Sequence, residues 1–163
     1  MLFNYAQRMG LHFITVDFSR DIYERAREIV DSRAFHMTGE DFLDLRSLPS
    51  LVSFAYLDNF DWIWEAHQNE QWILDQIQDY AKKNVVMNNL NSQLAHLRQS
   101  MKLLPNFEDR CAVLFDDTWR RWDGCYDGKG GAAVPFLLTH GFKDISPDMD
   151  KDYVLLGRNL MLS

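Results

Sequence analysis

Two apolar runs that each stop at carboxylates constrain this chain most. Residues 51–58 read LVSFAYLD and residues 111–117 read CAVLFDD. Short, continuous apolar runs suit strands buried on both faces, as in parallel sheets. In open α/β sheets, ligands bind beyond the carboxyl ends of the strands. Asp58, Asp116 and Asp117 are therefore expected to meet at one crevice, although they lie far apart in the chain. Carboxylates gathered in one place repel each other unless a cation or protons stand among them. A hard cation such as Mg²⁺ takes oxygen ligands and keeps waters for a substrate to displace. The competing reading is that each Asp only caps the helix or turn that follows it.

A chain of 163 residues is one domain, 1–163, by length, and long enough to bury about two-thirds of its unfolded surface. Its net charge of −7 argues against a nucleic-acid partner, which needs a basic face. Cys111 and Cys125 have neither metal-ligand nor redox-pair spacing. The lack of a disulfide framework fits a reducing cytosol. The start, MLFNYAQRMG, has no signal-peptide pattern, and no apolar stretch is long enough to cross a bilayer. The expectation is a cytoplasmic protein with no membrane partner.

Met1 to Met9 reads as a helix stopped by Gly10, and residues 11–17 as a strand ending in Asp17. Residues 20–31 suit a helix with Ile22, Ala26, Ile29 and Val30 on one face, and residues 34–38 a short strand. GEDFLDL then reads as a loop entering a helical turn, closed by Pro49. A helix over 69–82 aligns Trp72, Ile73, Ile77 and Tyr80; one over about 91–104 aligns Leu90, Leu94, Leu97, Met101 and Leu104. WDGCYDGKGG is a polar, Gly-rich loop. AAVPFLLTHG suits a helix with Pro135 in its first turn and Gly141 as its stop, and residues 152–157 a last strand. Strands alternating with helices predict an α/β fold, a mostly parallel sheet with helices on both faces.

Asp17, at a strand end, either accepts hydrogen bonds from ribose hydroxyls or is an ordinary polar exit residue. Gly39, Glu40 and Asp41 follow the next strand, either lining the adenine side of a nucleoside pocket or capping the helix they open. Asp61, three residues past Asp58, reads first as an Asp capping its loop, and otherwise as a group that takes a proton from a substrate hydroxyl. Trp62 and Trp64 either cover an aromatic or sugar substrate or simply pack. GKGG at 128–131 precedes a helix, so its amides and Lys129 suit an anion, although P-loop spacing is absent. His36, His96 and His140 show no metal-binding spacing and read as structural.

The order VDFS, TGEDF, YLDNFDW and LFDDTW resembles the class I S-adenosylmethionine-dependent methyltransferases over about residues 3–158. It is most similar to their metal-dependent small-molecule O-methyltransferase branch. The resemblance implies a Rossmann-like methyltransferase fold without its first strand and Gly-rich turn. It implies that Asp17 binds the ribose of S-adenosylmethionine and that Gly39, Glu40 and Asp41 lie near the adenine. It further implies that Asp58, Asp116 and Asp117 hold a divalent metal, Mg²⁺, and that Asp61 stands near the place of the family's catalytic lysine. The expected activity is methyl transfer to a hydroxyl of a small-molecule substrate. A missing first strand would leave an edge exposed beside residues 11–17, suited to homo-oligomerisation or to a strand from a partner. The alternative is a non-catalytic, truncated module acting in binding or assembly. A metal-dependent phosphotransfer domain ranks behind both, for want of a phosphate loop.

Overall fold

The computed structural model describes residues 2–46, 48, 51–58, 60–147 and 151–160. Pro49, expected to close a helical turn, lies outside them. The N-terminal part runs α1 (Leu2–Arg8), β1 (Thr15–Asp17), α2 (Arg20–Val30), β2 (Ala34–His36) and α3 (Gly39–Leu45). After β3 (Val52–Leu57) come α4 (Gln71–Lys82), α5 (Asn89–Leu103) and β4 (Phe107–Asp116). A hairpin of β5 (Thr118–Arg120) and β6 (Tyr126–Gly128) leads to α6 (Ala133–Thr139), β7 (Lys143–Asp144) and β8 (Tyr153–Arg158). The strand expected over 11–17 is confined to its last three residues, and the Gly-rich loop supplies the second strand of a hairpin the sequence did not announce.

The fold is α/β, but its sheets are mixed and not mostly parallel. β1 pairs with β2 and β3 with β4 in parallel, whereas β8 runs antiparallel to both β4 and β7. The principal sheet has four strands in the order β3-β4-β8-β7, and β1-β2 form a separate pair. Loop length explains the reversal. A parallel return needs a crossover of about a dozen residues or more, and the link between Asp144 and Tyr153 is shorter than that.

The core lies on one face of the principal sheet. Val113 and Phe115 of β4 and Val154 and Leu156 of β8 pack with Ala133, Val134 and Leu137 of α6 and Leu103 of α5. The opposite face carries Phe54 and Tyr56, 43% and 42% exposed, so among the described residues it is the less covered of the two where helices on both faces were expected. The two sheets are joined through side chains. The Tyr80 ring of α4 lies 5.3 Å from Phe18, just after β1, and 5.0 Å from Phe60, just after β3.

Two helices are rotated from their expected faces. In α2, Val30 is buried, but Ile22 and Ile29 are exposed. In α5, Leu90 and Met101 are exposed, while Ser92, Ala95, His96, Gln99, Ser100 and Leu103 are buried. α5 packs against both α3 and α6, and close approach on two sides favours small side chains over leucine.

Candidate functional site

β3 and β4 deliver their carboxylates to one place because they are adjacent, parallel and in register, Leu57 opposite Phe115. Asp58 follows β3, Asp116 ends β4, and Asp117 opens the turn into β5. Asp117 is held at φ 44° and Phe60 at φ 76°. Such left-handed backbone is costly for a non-glycine residue and clusters where function or packing demands it.

Two side chains knit the three acids together. The Tyr56 hydroxyl lies 3.0 Å from Asp58 Oδ2 and 2.9 Å from Asp116 Oδ2. Lys129 Nζ donates to Asp58 Oδ1 at 2.8 Å and to Asp117 Oδ2 at 2.9 Å. The lysine side chain is only 4% exposed, whereas its partners Asp58 and Asp117 are 39% and 33% exposed. Burial works against the ammonium, but its hydrogen bonds to the two acids outweigh this and hold the Lys129 pKa above its ordinary value. Tyr56 has one hydrogen for two carboxylate oxygens. The second contact is repulsive unless a proton is shared between the acids. Asp116 is pushed up, mainly by burial; the Tyr56 bond opposes this, and the charges of Asp58 and Asp117 add to it. The same burial and acid contacts push the Tyr56 phenol up, so it stays a donor.

Lys129 is where it is because of the glycines around it. Its amide donates to the Asp117 carbonyl at 2.8 Å, and the Gly130 amide donates to Thr118 Oγ1 at 2.8 Å. Gly128 has φ +80°, and a Cβ there would lie 2.0 Å from the Asp117 carbonyl oxygen. The loop expected to cradle an anion instead presses its lysine into two acids. The feature that could have found this contact is the glycine spacing itself, which lets backbone approach backbone closely. Beside this loop stands an aromatic wall: Trp119 stacks on Trp64 at 4.9 Å and meets Trp62 edge-on at 5.9 Å.

Below the cluster, α5 buries His96 completely. Its Nδ1 lies 2.7 Å from the Ser92 carbonyl, which can only accept, so the hydrogen belongs on Nδ1. Nε2 is then a buried acceptor without a hydrogen-bond partner. Burial pushes the His96 pKa down to about 4, and the Lys129 charge adds to the shift.

The other expected residues stand apart from this cluster. Asp61 donates its amide to Tyr80 Oη at 3.0 Å and lies close enough to Asp17 to raise that group's pKa. Asp17 is half-buried; burial pushes it up, opposed first by the Ser19 amide, which donates to Oδ1 at 2.7 Å. Gly39, Glu40 and Asp41 form the first turn of α3, where Thr38 Oγ1 accepts from the Asp41 amide at 3.1 Å. Glu40 Oε2 accepts from Gln99 of α5 at 2.9 Å, which ties α3 to α5.

The cofactor and the metal meet different surroundings. Asp17 keeps Oδ2 without a hydrogen-bond partner among the described residues, which fits a ribose diol at the carboxyl end of β1. The oxygens of Asp58 and Asp117 that would face a divalent cation are already held by Lys129. Among the described residues, no group of three or more His, Cys, Asp or Glu side chains is arranged to hold a metal ion. As they stand, these residues do not fit a divalent cation. Comparison with protein-family models, curated proteins and solved structures finds no match.

Proposed function

We propose that this protein transfers a methyl group from S-adenosylmethionine to a hydroxyl of a small molecule, in a Rossmann-like methyltransferase fold. The observation that carries the reading is the convergence of Asp58, Asp116 and Asp117 at the carboxyl ends of two adjacent parallel strands. That is where ligands bind in such sheets. Asp17 would hold the ribose hydroxyls. When bound, the cofactor supplies an electrophilic methyl group. Asp116, with its raised pKa, would take the hydroxyl proton, since a base works best when its pKa approaches the ambient pH. Asp61, facing Tyr80 and Asp17, is better placed to shape the cofactor side. Lys129 would fix the positions of Asp58 and Asp117, and the tryptophan wall would orient a flat or ring-shaped acceptor.

A second reading, a module for binding or assembly, is favoured by one observation. Phe54 and Tyr56 are exposed on a sheet face, and among the described residues β1 and β3 each pair on one edge only.

Calorimetric titration of S-adenosylmethionine into the wild type and Asp17→Ala tests the first reading. Micromolar binding that weakens about tenfold in the variant, about 1.4 kcal/mol, supports it. A folded wild type that binds no cofactor overturns it.

A further inference from the structure

We infer that Lys129 is the resident cation of the acidic cluster, standing where a divalent metal would otherwise be required, so that the site assembles without metal. The inference rests on the cluster's geometry and stands whether or not the protein transfers methyl groups. Acids brought together need a positive charge among them, and the lysine supplies it from inside. Its ammonium bridges an oxygen of Asp58 and an oxygen of Asp117 at 2.8 and 2.9 Å, from a side chain 4% exposed.

Burial of this kind is built and not incidental. The loop that carries Lys129 is fixed by three backbone contacts to the turn after β4 and to itself: Lys129 amide to Asp117 carbonyl, Gly130 amide to Thr118 Oγ1, and Gly131 amide to Gly128 carbonyl. Gln93 of α5 donates to the Gly128 carbonyl at 3.1 Å and closes the loop from the other side. These bonds fix the backbone from which the side chain reaches the acids, and the side chain itself is enclosed at 4% exposure. The remaining contact between acids, Asp58 to Asp116, is bridged by the Tyr56 hydroxyl. All three acids therefore have a partner supplied by the chain.

The test uses Mn²⁺ as the probe, followed by electron paramagnetic resonance on the full chain, with thermal melts in parallel. The wild type is expected to show no saturable Mn²⁺ site below about 1 mM, and a Tm that Mg²⁺ and a chelator leave unchanged. Lys129→Ala removes the internal cation and leaves three acids together. It is expected to lose on the order of 10 °C in Tm, as for a buried pair stripped of one partner. It is also expected to gain one Mn²⁺ site, with a metal-dependent recovery of about 5 °C, and Asp116→Asn in the same background should abolish that site. A saturable wild-type site that Asp58→Asn removes would overturn the inference. So would a folded Lys129→Ala that binds no more Mn²⁺ than the wild type. If Lys129→Ala does not fold, the wild-type titration decides alone, because it needs no variant of the lysine. Cofactor binding by calorimetry is a separate readout, so loss of one conclusion leaves the other intact.

Discussion

Replacing Gly128 with alanine should damage this protein far more than replacing Gly141, although both glycines have positive φ. Gly128 has φ +80°, and an added Cβ would lie 2.0 Å from the Asp117 carbonyl oxygen and 2.7 Å from the Trp119 ring. The nearer atom is backbone, and it already accepts the Lys129 amide at 2.8 Å, so it has nowhere to retreat without breaking that bond. Two costs add. An L-residue in left-handed backbone costs about 1–2 kcal/mol, and overpacking costs about 1–3 kcal/mol, together about 2–5 kcal/mol. At roughly 2–4 °C per kcal/mol for a chain of this length, Gly128→Ala should melt about 4–20 °C below the wild type. Gly141, at φ +87° with nothing within 4 Å of an added Cβ, meets the first cost alone, so its alanine variant should lose about 2–8 °C. Differential scanning calorimetry of the three proteins side by side decides the matter. Equal losses for the two variants would refute the packing of the lysine loop against the Asp117 turn.

Two further predictions test the buried face of α5. The folded-state pKa of His96, near 4, lies below its unfolded value of about 6.5. Between these values the unfolded chain binds the proton and the folded chain does not. Stability should therefore fall as pH drops from about 6.5 to 4, by on the order of 3 kcal/mol, and remain level above that window. Urea melts across pH should show this slope, and His96→Asn should flatten it; an unchanged slope in the variant would place the titration elsewhere. Met101→Lys, on the face that is 53% exposed, should change stability by no more than about 0.5 kcal/mol. Ser100→Leu, at a position 1% exposed, should cost about 1–3 kcal/mol by overpacking. Chemical denaturation measures both, and the reverse order would restore the leucine stripe as the buried face.

The acidic strand ends were legible because each is a local pattern: an apolar run, then a carboxylate, with the pairing of β3 and β4 doing the rest. Lys129 was not, because its partner Asp58 lies 71 positions away and its loop carries the glycines of an anion cradle. The lysine is turned inward by contacts made only in the folded chain, its ion pairs with Asp58 and Asp117. The direction of β8 was hidden for a different reason: an apolar run has no polarity, and the short link from β7 decides it. Helix α5 was misjudged because periodicity counts leucines, and this helix buries serines and a histidine between two other helices. Asp17 was found as a strand end, yet the strand leading to it is shorter than its β-branched residues suggested. Asp61 was placed by spacing from Asp58, but the chain turns at Phe60 and sends it toward Tyr80.

The division into two sheets also sets how the molecule comes apart. Among the described residues, no backbone ladder crosses from the β1–β2 pair to the principal sheet. The link is made by side chains, among them the Tyr80 ring, the Gln99–Glu40 bond, Lys102 on Asp44 and on the Glu40 carbonyl, Lys83 over the Phe18 ring, and Leu43 against the main core. Side-chain links of this kind open at lower free energy than a continuous sheet. The N-terminal third is therefore expected to open before the principal sheet does. Hydrogen exchange should find its amides exchanging through a smaller opening than those at the centre of β4.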